Sequence, residues 1–292
     1  MTDHGRPYFE FQADVGITEH MGGLEATAEL LDTCHVREGD LVLDVGSGTG
    51  ITSCYAAARY GCRVVGLDIS DRMVDWASKR AERAGVADEV EFVVGDVDSI
   101  PLGDDQFDAV VSESVTAFAR DRAGAVGEYV RVTKPGGYVG LNESTWLDDP
   151  PRELRDYMAR TLGAEFETRT GWTGLLEAAG LDDVTVATYE LSPVRQYGHE
   201  LRRQGITGIA TAWWRFLTSF VTDADFRRRI RTFWPGGRTT WRFLFDFFEY
   251  QGYGLYVGRK PTSTGTTGRG RVGEVVHHSR GADVGAGARG HA

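Results

Sequence analysis

Lysine is scarce in this 292-residue chain: it occurs only at positions 79, 134 and 260, and arginine carries nearly all the basic charge. Acidic residues outnumber basic ones, 43 to 32, for a formal net charge of −11. That balance argues against broad phosphate-backbone binding and predicts no nucleic-acid partner. Cysteine is scarce too. Cys34, Cys54 and Cys62 are odd in number and form no CxxC pair, which argues against a disulfide framework or a thiolate zinc site. They are expected as small buried apolar residues. No stretch approaches the roughly eighteen consecutive apolar residues of a membrane-spanning helix. The start, "MTDHGRPYFEFQ", lacks the basic residues and apolar core of a secretory signal, so the expected location is the cytoplasm.

What is present is a rhythm. Residues 23–35 place Leu24, Ala28, Leu31 and Cys34 at helical spacing. After that helix, apolar runs alternate with helical patterns. "LVLDV", "RVVGLDIS", "VEFVVGD", "FDAVVSES" and "YVGLNES" read as strands. The segments between them, such as "ITSCYAAARYG" with its closing Gly61, read as helices. Such alternation predicts a parallel sheet covered on both faces. The expected organisation is an N-terminal helical cap (1–37), a Rossmann-like core (38–192), a helical aromatic-rich insertion or lid (193–250), a final strand (251–260) and a disordered tail (261–292). The insertion holds Trp213, Trp214, Phe216, Phe220, Trp241, Phe243, Phe247 and Phe248. These could line an apolar pocket, rest against a membrane surface, or simply pack the insertion onto the sheet. The tail is rich in Gly, Thr and Arg, with His277 and His278 expected as a solvated pair.

The stretch "LVLDVGSGTG" carries the chemistry. Gly46, Gly48 and Gly50, with Ser47 between the first two, follow a buried strand and open a helix, a geometry that lets backbone N–H groups approach a ligand. A phosphate loop would need Gly-Lys-Ser/Thr after Gly50, and Ile51-Thr52 stands there instead. A dinucleotide fingerprint wants G-x-G-x-x-G, which the spacing does not match. Charge decides further. Asp44 would face a pyrophosphate with no basic residue in the loop, and two like charges about 5 Å apart repel by roughly 3 kcal/mol at an effective dielectric of 20. A ligand bearing a sulfonium and an ammonium would be attracted. Asp68 and Asp96 end the next two strands, where ligands of open parallel sheets bind. Each alone could be a helix cap or turn residue.

"LDVGSGTG", "VVGLDIS", "VGDVDSIPLGDDQFDAVVS" and "VTKPGGYV" resemble, in order, the motifs of class I S-adenosylmethionine-dependent methyltransferases. Within that group they are most similar to the small-molecule branch that includes quinone- and sterol-methylating enzymes. The resemblance covers roughly residues 20–145. It implies an α/β, doubly wound, seven-stranded sheet whose last strand, "GYGLYVGRK", is antiparallel. It implies S-adenosyl-L-methionine as cofactor and a small-molecule methyl acceptor. Gly46, Ser47, Gly48 and Gly50 would border the methionine moiety, with Asp44 near its amino group. Asp68 would take the ribose, Ile69 and Met73 would flank the adenine, and Asp96 with Val97 would hold its edge. Ser112 would lie beside the activated methyl.

For a general base the candidates are Glu113, just past the fourth strand, and His20, ahead of the first helix; Asn142 and Glu143 after the fifth strand are fallbacks. Arg215, Arg227, Arg228, Arg229 and Arg231 could grip an anionic group or form an exposed face. The competing readings are a non-catalytic module that binds the same cofactor, and a protein or nucleic-acid methyltransferase. "SESV" stands where amino-methylating nucleic-acid enzymes carry Asn/Asp-Pro-Pro-Tyr.

Overall fold

The computed structural model describes residues 20–191, 214, 216–233, 249–262 and 276–277. The first helix, α1 (Gly23–Thr33), precedes β1 (Leu41–Val45), α2 (Ile51–Tyr60), β2 (Arg63–Asp68), α3 (Asp71–Ala84) and β3 (Val90–Val94). Then come β4 (Phe107–Glu113), α4 (Arg122–Val132), β5 (Thr133–Trp146), α5 (Arg152–Leu162) and a two-residue β6 (Glu167–Thr168). The order continues with α6 (Arg169–Ala178), β7 (Asp182–Glu190), α7 (Ala224–Phe233), β8 (Gln251–Arg259) and a two-residue β9 (Val276–His277).

The strands form one sheet in the order β3-β2-β1-β4-β5-β8-β7-β9, with β6 paired to β5. Strands β1 to β5 are parallel, and β8 runs antiparallel between β5 and β7. Seven strands carry the architecture expected from the sequence, antiparallel last strand included. The count itself needs correcting to nine, because β6 and β9 add two-residue pairings too short to leave a periodic signal. Val276–His277 also departs from the expected disordered tail, since it lies beside Ala187–Thr188 of β7.

Local chemistry explains the boundaries. Gly61 and Gly85 end α2 and α3 in the left-handed conformation, at φ 65° and 70°. The Ser70 hydroxyl opens α3 by accepting from Met73 N. Asp121 does the same for α4 through Gly124 N. Helix α4 stops at Val132 rather than running on to "PGG". Thr133 already pairs with Phe107, the chain loops out, and pairing resumes at Tyr138 opposite Ala109.

Two apolar layers enclose the sheet. One joins α1, α2 and α3 to β1, β2, β4 and β8 through Leu30, Leu31, Val42, Val64, Ala81, Val111 and Leu255. The other sets Tyr129, Trp172 and Leu176 of α4 and α6 against Leu43, Val110, Leu141 and Tyr256. The buried stripe of α1 is Ala26, Thr27, Leu30, Leu31 and Cys34; Leu24 and Ala28, expected inside, are half-buried. This offset places Thr27, the one polar member, under the sheet edge.

A candidate cofactor cleft at the carboxyl ends of the strands

Strand β1 delivers Asp44 and then the glycine turn. Gly46, Gly48 and Gly50 all have positive φ, 71°, 52° and 74°, which L-residues with a Cβ adopt at a cost. The turn is latched to the next strand, with Gly46 N and Ser47 N both donating to Leu67 O, at 2.7 and 2.9 Å. Close approach adds a second demand. A Cβ on Gly46 would overlap Val115, and one on Gly50 would stand 2.8 Å from Phe92 and 2.9 Å from Ala77. The loop is therefore fixed by packing as well as by dihedral freedom.

Around it opens a shallow cleft lined by His20, Asp44, Gly46, Ser47, Gly48, Ile51, Thr52 and Glu113. No Lys or Arg is among these residues. Asp44 is buried and accepts from Ser53 Oγ at 2.6 Å. Burial first, then the charges of Glu113 and Asp68, push its carboxyl up to about 7 despite that hydrogen bond. Asp68, half-buried, accepts from Gly48 N at 2.8 Å and Ser70 N at 2.9 Å; burial also raises its pKa. Three acids thus converge at the turn, and its basic neighbour among the described residues, Arg80, is tied to Thr49 O at 2.7 Å rather than to any of them. The Ser47 hydroxyl is buried with no hydrogen-bond partner among the described residues.

Glu113 alternates out of β4 toward α1 and α2. It accepts from Thr52 Oγ1 at 2.7 Å, from Thr27 Oγ1 at 3.1 and 3.2 Å, and from Asn142 Nδ2 at 2.9 Å. His20 Nε2 lies 2.9 Å from Thr27 Oγ1 and 3.7 Å from Glu113 Oε2. Asn142 also donates to Met21 O, fastening the entry segment to the sheet.

The structure therefore gathers His20, Asp44, Gly46, Ser47, Gly48 and Glu113 in one cleft, with Gly50 closing its loop and Asp68 tied to it through Gly48. Ile69 is exposed beside Asp68, at 43%, whereas Met73 is packed at 3%. Asp96 turns its carboxylate onto Asp98 N at 3.2 Å, and Val97 is half-buried on the same turn. Ser112 is set apart. It faces the opposite side of β4, fully buried, with its hydroxyl 3.2 Å from Thr116 Oγ1. Glu143 also faces away, accepting from Val115 N and Thr116 N, with burial pushing its carboxyl up to about 7. Sequence reasoning missed Thr27, Thr52 and Ser53. Only Thr52 had drawn notice, as part of the Ile51-Thr52 pair that stands where a phosphate loop would carry Lys-Ser/Thr.

Trp213, Arg215, Trp241, Phe243, Phe247 and Phe248 lie outside the described residues, as does His278. Phe216 stacks on Phe220 at 6.0 Å and meets Phe226 edge-on at 5.8 Å. Trp214 is 68% exposed. Arg227 donates to Phe220 O and Val221 O, ending the helical residues 216–222, and Arg228 pairs with Asp225. Arg229 and Arg231 lie on α7, and Arg231 is exposed. No described helix is long and apolar enough to cross a membrane.

Open parallel sheet, glycine turn and acidic strand ends define a class I methyltransferase fold. Residues 43–141 match the family model described as "Methyltransferase domain", so this stretch of the chain is a methyltransferase domain. Phosphoethanolamine N-methyltransferase 1 of Arabidopsis thaliana is 30% identical over 164 residues, 56% of this chain and 33% of that protein. Sterol 24-C-methyltransferase of Pneumocystis carinii (strain B80) is 36% identical over 113 residues, 39% of this chain and 30% of that one. The chain thus spans about a third of the length of these curated relatives. Among solved structures, a methyltransferase from Geobacter sulfurreducens with bound S-adenosyl-L-homocysteine superposes with a TM-score of 0.64. Identity there is 23%, over 88% of this chain and 99% of that one.

Proposed function

We propose that this protein transfers the methyl group of S-adenosyl-L-methionine to a small, partly apolar acceptor. The observation that carries this reading is the convergence of Asp44, Asp68 and Glu113 on a glycine turn whose cleft has no Lys or Arg among its described lining residues. Such a site suits a sulfonium with an ammonium and repels a diphosphate. The residues present fit that cofactor. Asp44 is poised to take the ammonium, the Ser47 hydroxyl with the cleft-lining Gly46 and Gly48 the amino-acid end, and Asp68 the ribose hydroxyls. Ile69 offers an exposed apolar face to the adenine, with Met73 packed behind it and Asp96 and Val97 on the neighbouring turn. The cofactor supplies an electrophilic methyl carbon; the protein has to align a nucleophile, exclude water and accept a proton.

The two curated relatives act, by name, on a sterol and on phosphoethanolamine. These acceptors share little beyond being small, and that supports the class of acceptor without choosing one. Segment 193–250 is proposed as the acceptor lid. In support, β7 runs parallel to β1, so the chain leaves β7 and re-enters β8 at the cleft edge of the sheet. Three buried free cysteines accord with a reducing cytoplasm.

The test is incubation of the full chain with methyl-labelled S-adenosylmethionine and fractionated cell metabolites, followed by mass analysis. Label in a small molecule is expected. Tight cofactor binding with no transfer to any fraction would overturn catalysis in favour of a binding module, and label in protein or nucleic acid alone would overturn the acceptor class.

A further inference from the structure

Glu113 is held by three donors. A carboxylate offers about four lone-pair positions, and here Thr52, Thr27 and Asn142 occupy both oxygens, with the side chain only 4% exposed. It is poorly placed to take a proton from a molecule in the cleft. His20 is placed differently. Its ring lines the cleft, and its Nε2 contacts Thr27 Oγ1.

The hydroxyl of Thr27 decides the tautomer. It has a single proton and three acceptors in reach: Glu113, Gly23 O at 3.4 Å, and the imidazole. A carboxylate is the strongest of these acceptors, so the proton points to Glu113 and the hydroxyl oxygen accepts from Nε2–H. In that tautomer the lone pair is on Nδ1, to which no described residue is hydrogen-bonded. This order, carboxylate to hydroxyl to imidazole, orients a base in the manner of hydrolase triads, on unrelated residues.

We propose that His20 is the general base of the transfer, that Glu113 acts through Thr27 as its positioning residue, and that the acceptor is one that sheds a proton on methylation, such as a hydroxyl. The inference rests on the methyl-transfer reading. For a hydroxyl, the oxygen lone pair forms the bond to the methyl carbon as the carbon–sulfur bond breaks with its electron pair going to sulfur. The hydroxyl proton passes to Nδ1 of His20. The resulting imidazolium faces the Glu113 carboxylate across Thr27.

The experiment has two arms on the full chain. In the first, nitrogen-15 NMR of histidine-labelled protein at neutral pH, with and without S-adenosyl-L-homocysteine, reads the His20 tautomer, assigned by loss of its signal in His20→Gln. An Nε2–H ring is expected, and Thr27→Val should mix the two tautomers. In the second, turnover uses labelled cofactor and the metabolite fraction that accepts label. His20→Ala and His20→Gln should each lower kcat by at least about 100-fold, with cofactor Kd within twofold and partial rescue of His20→Ala by imidazole. Glu113→Gln should lower kcat without imidazole rescue. An Nδ1–H tautomer, or wild-type turnover in either His20 variant, overturns the inference while methyl transfer stands. Failure of the wild type to bind cofactor overturns the methyl-transfer reading, and the tautomer arm reports on the relay regardless.

Discussion

Replacing Asp44 by Asn should make the ligand-free protein more stable and the cofactor complex much weaker. Asp44 is 3% exposed, and its carboxyl is held up at about 7 against an unfolded value of 3.8. Between those values the folded chain keeps a proton that the unfolded chain has lost, so stability falls as pH rises from about 4 to about 7. The ionised form therefore costs about 4 kcal/mol at pH 8, three units at about 1.4 kcal/mol each. An Asn retains a partner for Ser53 Oγ and removes that cost, but it buries an amide, which takes back about 2 kcal/mol. The net gain, about 2 kcal/mol, corresponds to a Tm increase of about 4 to 8 °C at pH 8. Near pH 5 the gain should vanish, because only about 1.2 units of the cost, roughly 1.6 kcal/mol, remain and the buried amide cancels it. For binding, a unit charge about 5 Å from the ligand ammonium contributes roughly 3 kcal/mol at an effective dielectric of 20, so Kd should rise by about 100-fold. Calorimetry at pH 8 with S-adenosylmethionine checks this, and adenosine, which has no cationic group, serves as a control whose affinity should not change. An unchanged Kd, or a lower ligand-free Tm at pH 8, would refute the electrostatic reasoning.

Two further substitutions probe the frame of the site. Gly46→Ala combines a φ of 71° with overlap onto Val115, which has a methyl group 2.8 Å from the new Cβ besides the direct clash; it should cost about 2 kcal/mol in chemical denaturation, and Val115→Ala in the same chain should recover part of that. Glu143→Gln keeps an acceptor for Val115 N and Thr116 N but removes a carboxyl that burial holds at about 7. Its stability relative to wild type should therefore improve between pH 5 and pH 8, and parallel melting curves across that window would expose a wrong sign.

The sheet was legible in the sequence because its signals are local and repeated. Buried strands, glycine stops at 61 and 85, and acids at successive strand ends each announce themselves within ten residues. Asp44 and the glycine turn were legible for the same reason. The cradle around Glu113 was not. Thr27, Thr52 and Asn142 come from α1, α2 and β5, and each is an ordinary polar residue in its own segment. Their meaning arises only when the crossover connections bring three elements together. Ser112 and Glu113 show the same limit at one-residue scale. A strand alternates its faces, so neighbours in sequence report to opposite sides of the sheet, and nothing local in "SESV" says which side holds the cleft. The offset of α1 arose because its apolar spacing admits two adjacent stripes, and packing on β5 selected the one with Thr27.

Strands β7 and β8 are sheet neighbours, yet about sixty residues separate them where a tight turn would suffice. Closing so long an excursion is cheap, since each doubling of length adds only about 0.6 kcal/mol. This junction can therefore be lengthened, shortened or exchanged with little strain on the strands that carry the donor-side carboxylates. A foreign segment grafted here would leave those strands as they are.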